Sequence, residues 1–135
     1  MTYWLVKSDP KDYSWDEMKK DKETDWDGVR NYQARNNLKE IKKGDQVLFY
    51  HSVIGKEVVG ITEVTKEYYQ DPTTDDDRWV AVKLKFSEEF PNPVKLEDIK
   101  KNNKLKNIAL IKQSRLSVMP ITKEEFKTIV DMGKK

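Results

Sequence analysis

At 135 residues the chain has the length of one ordinary domain, expected over 1–135, and its 36% hydrophobic content suffices for a single modest core. Lysine and arginine total 26 against 24 aspartates and glutamates, a net charge of +2 that excludes a polycation holding nucleic acid by charge alone. Zero cysteines exclude disulfides, thiolate nucleophiles and cysteine-held metal centres, and the single histidine excludes a histidine-rich one; no metal and no cofactor is expected. No stretch approaches the roughly 20 apolar residues of a membrane span, so a soluble, cytoplasmic monomer without a membrane role is the expectation.

Tyr3 to Val6 is a continuous apolar run closed by Ser8-Asp9-Pro10, which predicts a buried strand stopping at a turn. Ser14 and Glu17 have capping-box spacing, so a short helix is expected from Trp15 through Lys20 with Trp15 and Met18 inside. Asp21 to Asp25 reads as a polar loop. Ala34, Leu38 and Ile41 recur on one helical face, predicting a helix capped by Asn31 and stopped at Gly44. Gln46 to Val53 reads as a strand, Gly55-Lys56 as a turn, and Glu57 to Lys66 as the second arm of a hairpin. Gln70 to Asp77 is a solvated loop. From Trp79 the pattern becomes two-fold, with Val80, Val82, Leu84 and Phe86 facing a core. Pro91 and Pro93 break that pattern, and Leu96 with Ile99, then Leu105 with Ile108, predict short helical pieces. Ser114 to Pro120 alternates polar and apolar residues and is expected as a strand with Arg115 and Ser117 facing a ligand. Thr122 and Glu125 form a second capping box, opening a helix with Phe126, Ile129 and Val130 inside and Gly133 as its stop. Hairpin-joined strands with interspersed helices predict an α+β fold, a mostly antiparallel or mixed sheet forming a small barrel with flanking helices.

The stretch from Trp26 to Leu38 is too rich in binding groups for a linker. An indole, a phenol, four side-chain amides and two guanidiniums fall within it. Asn31 as a cap points the free amides and positive dipole end of its helix back toward Trp26. An aromatic face beside directional donors and acceptors suits a flat, polar ligand such as a nucleobase, since stacking gives area while amides read edges. Trp26 and Tyr32 as packing residues and the amides as loop caps account for the same composition.

The runs Tyr3-Trp4-Leu5-Val6-Lys7-Ser8-Asp9-Pro10, Tyr13-Ser14-Trp15, Trp26-Asp27-Gly28-Val29-Arg30-Asn31-Tyr32-Gln33-Ala34-Arg35-Asn36, Val47-Leu48-Phe49-Tyr50-His51-Ser52, Gly60-Ile61 and Ser114-Arg115-Leu116-Ser117-Val118-Met119-Pro120 together resemble an EVE domain. The resemblance spans nearly the whole chain. It implies a PUA-like barrel with flanking helices, akin to YTH domains, and a non-enzymatic binder of modified bases, in DNA or RNA, with modified cytosine in DNA the best-supported class. The family often has a longer, tyrosine-containing connection before the residue matching Trp79, where this chain has only Tyr68 to Arg78; that connection is expected to wall the pocket.

Carried over by residue, the resemblance places a base pocket among Lys7, Ser8, Trp26, Asn31, Tyr32, Tyr50, His51, Ser114, Arg115 and Ser117, with Trp26 as stacking platform. Trp79 joins them beside Lys83 and Lys85 on one strand face. Asn31 suits a base edge as well as a helix cap, and His51 suits a ligand as well as a structural hydrogen bond. Arg30, Arg35, Lys42, Lys43, Lys83 and Lys85 are candidates for phosphate contact, with solvated or ion-paired faces the alternative. A small hydrolase would need Ser8 and His51 in a triad, yet no nucleophile elbow surrounds Ser8 and no glycine loop cradles phosphate. No catalytic residue is assigned. The remaining alternative is an adaptor that takes a peptide in the aromatic groove.

Overall fold

The computed structural model describes every residue from Met1 to Lys135. Six strands, β1 (Tyr3–Ser8), β2 (Glu23–Trp26), β3 (Gln46–His51), β4 (Glu57–Gln70), β5 (Val80–Lys95) and β6 (Val118–Ile121), form one sheet in the order β2-β5-β4-β3-β1-β6. Every neighbouring pair is antiparallel except β1 with β3. Five α-helices accompany it, α1 (Trp15–Asp21), α2 (Tyr32–Glu40), α3 (Leu96–Lys101), α4 (Ala109–Lys112) and α5 (Lys123–Lys134), with a 3-10 turn at Asn103–Leu105. The fold is therefore mixed α+β. The sheet is not closed in its strand order, since β2 and β6 end it and share no ladder.

Local chemistry explains most boundaries. Both capping boxes form: Ser14 accepts from the Glu17 amide and Thr122 from the Glu125 amide, while each glutamate reaches back to the cap amide. Asn31 caps α2 through the Ala34 amide at 2.9 Å. The helix ends at Glu40, ahead of Gly44, whose φ of +92° serves the turn into β3. One hydrophobic cluster of 33 buried residues fills the space between sheet and helices. Asp45, itself buried, accepts from Thr2 N, Trp4 Nε1 and Lys42 N, fixing the start of β1 against the turn before β3.

Four expectations are overturned. Asp21 to Asp25 is largely strand, since Glu23 pairs with Lys85 and Asp25 with Lys83 on β5; opposite charges across the ladder replace the apolar alternation that would have marked it. Pro91 and Pro93 do not end β5. Gly60 pairs with Glu89 but Val58 with Val94, so Phe90 to Pro93 bulge out where no ladder partner requires a proline N–H. Ser114 to Ser117 is a turn following α4, with Leu116 N donating to Gln113 O, and β6 begins only at Val118. Gly133 does not stop α5; it lies inside the helix, where a Cβ would sit 2.4 Å from a Phe90 ring carbon.

Gly60 is the tightest crossing. A Cβ there would come within 2.3 Å of the Trp15 ring and 2.5 Å of the Glu88 carbonyl oxygen, and the backbone atom has nowhere to go. Gly60→Ala should destabilise the fold by about 3 kcal/mol, as overpacking of a dense core does. Urea denaturation of the variant beside wild type measures it.

Candidate functional site

Where the sheet curls, residues from both ends of its strand order face one cavity of about 580 Å³. Lys7 and Ser8 come from the end of β1, Asp9, Asp12 and Tyr13 from the loop after it, and Thr24, Asp25 and Trp26 from β2. The turn Asp27 to Asn31 and Ser117, just ahead of β6, complete the wall. Trp26 is 8% exposed. Its indole meets Phe49 edge-on at 5.4 Å and Tyr13 at 6.3 Å, so packing sets the ring's angle and leaves a narrow part of it to the cavity.

The turn is held from outside the cavity. Asp71 is fully buried and accepts from Gly28 N at 2.8 Å, Arg30 Nη1 at 2.9 Å, Thr73 N at 2.7 Å and Thr73 Oγ1 at 2.6 Å. Burial alone would raise its carboxyl, but these hydrogen bonds outweigh burial and hold it down at about 2. Gly28 adopts φ +76° in this turn, a conformation that costs other residues. The short loop after β4 thus supports the pocket wall through one carboxylate.

Four carboxylates, Asp9, Asp12, Asp25 and Asp27, line the cavity against two cations, Lys7 and Arg30. Burial, then Asp71 and Asp25, raise the Asp27 carboxyl above its ordinary value. The Lys7 amine donates to Ser114 O at 2.7 Å, and burial lowers its pKa. Tyr13 is pushed up to about 12, chiefly by burial. Tyr69 donates its hydroxyl to Asp25. Such a lining repels phosphate and favours groups that donate hydrogen bonds.

Of the residues expected in the pocket, Lys7, Ser8, Trp26, Asn31 and Ser117 line this cavity, and Arg30 joins them from the phosphate candidates. The others do not. Tyr50 is buried in the core and lines no part of it. His51 accepts from Trp15 N at 2.9 Å, a structural bond that anchors α1. Ser8 Oγ donates to Tyr13 O at 2.5 Å, so neither group of the imagined triad is turned toward the other's chemistry, although the two residues pair across β1 and β3. Ser114 and Arg115 border a second concavity of about 340 Å³ with Asn31, Gln33 and Lys112. Tyr32 and Trp79 stack on each other outside the cavity at 5.3 Å. Arg35 lies over the Tyr32 ring at 5.1 Å. Lys83 and Lys85 are ion-paired with Asp25 and Glu63. Lys42 and Lys43 are exposed beyond the far end of α2, about 14 Å of helix from Asn31.

The lining residues that sequence reasoning passed over are mostly acidic: Asp9, Asp12, Asp25 and Asp27, with Tyr13 and Thr24. Solvated turns carry the same residues, so composition gave no signal. Asp71 did carry a local one, since Asp-Pro-Thr invites the side chain to accept from the amide two residues on.

The profile of the EVE domain family matches residues 2–132. The chain belongs to the EVE domain family. Mouse thymocyte nuclear protein 1 is 34% identical over 164 residues, covering 96% of this chain and 73% of its own. A crystal structure of a protein from Agrobacterium tumefaciens superposes with a TM-score of 0.94 at 43% identity, over 98% of this chain and 93% of that one. The human THYN1 protein, solved in complex with DNA containing 5-methylcytosine, gives a TM-score of 0.90 at 31% identity, over 100% of this chain and 99% of that one. No helix in this EVE domain is long and apolar enough to cross a membrane, and no cluster of three histidine or acidic side chains is arranged to hold a metal.

Two titrations should register in the stability of this EVE domain. Burial lowers the folded-state pKa of His51, whose Nε2 must stay unprotonated to accept from Trp15. The unfolded chain then binds the proton more readily, so stability is full above about pH 6.5 and falls as pH drops through the folded value. His51→Gln should flatten that slope in thermal melts between pH 8 and 5. Asp71, depressed to about 2, stabilises above about pH 4 by about 2 kcal/mol and loses this as pH falls toward 2. Asp71→Asn should remove the acid limb.

Proposed function

We propose that this EVE domain is a non-enzymatic, monomeric reader of a modified base in nucleic acid, taking the base into the Trp26 cavity. The observation that carries the reading is the match over essentially the whole chain to the THYN1 protein bound to 5-methylcytosine DNA. The cavity's size supports it, falling within the ~300–1,000 Å³ of small-ligand sites. Its lining supports a cytosine-type base, whose exocyclic amine donates where a carboxylate accepts, over a thymine- or uracil-type edge presenting a carbonyl. In this reading Trp26 bounds the base, Asp27 accepts from the amine, and Asn31 and Lys7 donate to the remaining edge. The curled sheet is then a PUA-like barrel left open at the seam between β2 and β6, and that seam admits the ligand. Catalysis has no part in it, in keeping with the structural bonds that occupy Ser8 and His51. A cytoplasmic setting is carried with the proposal and rests on composition alone.

Titration with short single-stranded oligonucleotides carrying 5-methylcytosine, cytosine or thymine tests the reading. Wild type should prefer the methylated strand. Trp26→Ala should weaken that complex by about 1–3 kcal/mol and flatten the preference; Trp26→Phe, which keeps the ring packing on Phe49, should fall between. Asp27→Asn should erase about 1–3 kcal/mol of discrimination against thymine. Equal binding to all strands would favour the peptide adaptor, and full discrimination by both Trp26→Ala and Asp27→Asn would overturn the pocket assignment.

A further inference from the structure

One residue past Asn31 the chain leaves the cavity and builds a second feature that the pocket does not need. Tyr32, 53% exposed, stacks on Trp79 with ring centroids 5.3 Å apart and planes 29° from parallel. Three guanidiniums lie over these two rings: Arg35 over Tyr32 at 5.1 Å, and Arg30 and Arg78 over Trp79 at 5.5 and 6.0 Å. Arg78 also donates to the Tyr32 hydroxyl at 3.2 Å, and Arg35 to the Arg78 carbonyl at 3.3 Å. Arg30 and Arg78 have carboxylate partners in Asp71 and Asp76. Arg35 has none; its other hydrogen bonds go to the side-chain oxygen of Asn36.

As a clasp between α2 and the loop before β5, the Tyr32–Trp79 stack would suffice without an uncompensated cation laid on its exposed ring. Arg30 belongs to both places, lining the cavity and lying over Trp79, so the stack adjoins the pocket on one side. The cavity's four carboxylates repel phosphate, so a strand that inserts a base must carry its phosphodiester across the rim. A guanidinium already restrained by an aromatic ring loses less freedom on binding phosphate, and its plane also stacks a base.

We infer that the Tyr32–Trp79 stack with Arg35 and Arg78 is a subsite for the phosphodiester and nucleotide on one side of the base held in the cavity. The inference rests on the base-reading function proposed above. It assigns the strand a polarity: nucleotides on one flank of the modified base contribute to affinity through this stack, and those on the other do not.

Seven-nucleotide single-stranded DNAs carrying 5-methylcytosine at the centre, the 5′ end or the 3′ end separate the two flanks. Wild type should bind the central probe and one end-labelled probe about three- to tenfold more tightly than the other, as expected for a few charged and stacking contacts. Arg35→Gln and Tyr32→Ala should bring the tighter probes down to the level of the weakest, leave the weakest unchanged, and keep the preference for 5-methylcytosine over cytosine. Lys127→Gln, an exposed charge on α5, should alter nothing, and thermal melts show whether each variant stays folded. Variants that bind all three probes as wild type does, or lose affinity for all three equally, overturn the subsite. A wild type without preference for 5-methylcytosine instead overturns the base-reading function itself.

Discussion

The buried carboxylate of Asp71 is the point on which the site's geometry depends. A charge withdrawn from water is tolerated only when fully hydrogen-bonded, and Asp71 meets that demand with its own loop, through Thr73, and with the far turn, through Gly28 and Arg30. Desolvation thereby enforces a contact between segments more than forty residues apart. The turn it fixes carries Asp27 and Asn31 into the cavity, and the arginine it fixes is placed over Trp79. The short loop between β4 and β5 holds the turn through the Asp71 carboxylate, with the Thr73 hydroxyl also accepting from Arg30 Nη2.

The open sheet explains where the cavity lies. Its two edges are made by β2, a polar strand paired by opposite charges with β5, and by β6, a short strand preceded by a turn. A closed barrel would satisfy those edges with each other. Here Trp26 from one end and Ser117 from the other face a common space. α2 follows the turn after β2 and is tied to the β6 side, with Gln33 Nε2 donating to Gln113 and Asn37 Nδ2 to the Val118 carbonyl. No backbone ladder joins β2 to β6, and the cavity lies between these two ends of the sheet.

Features settled by near neighbours were legible in the sequence. Ser14 with Glu17, Thr122 with Glu125, and Asn31 ahead of Ala34 each report a cap that forms within three residues. The apolar runs of β1, β3 and β5 reported burial. Trp26, Asn31, Lys7, Ser8 and Ser117 were legible as neighbours only through the family resemblance, since they come together from distant strands. What escaped were features decided by long-range pairing: the polar strand β2, which has no apolar alternation to reveal it, and the bulge that lets β5 run through two prolines. That His51 and Tyr32 lie outside the cavity was hidden for a related reason. An imidazole that accepts a backbone N–H, or a phenol stacked outside the cavity, has the same sequence signature as one that lines it.

A net charge of +2 conceals a local separation of sign. Carboxylates gather in the cavity and guanidiniums at its rim, while Lys83 and Lys85 spend their charge on acidic neighbours within the sheet. For a protein that reads a base, this arrangement divides two tasks that a uniformly basic surface would merge. Phosphate attraction is indifferent to sequence and would hold any strand, so a rim with few uncompensated cations keeps that contribution small. In the proposed reading the acidic lining of the cavity disfavours phosphate and accepts from a base that leaves the strand. Discrimination is then set by the group inside the pocket, and the weak charge of the whole chain becomes a condition for selectivity.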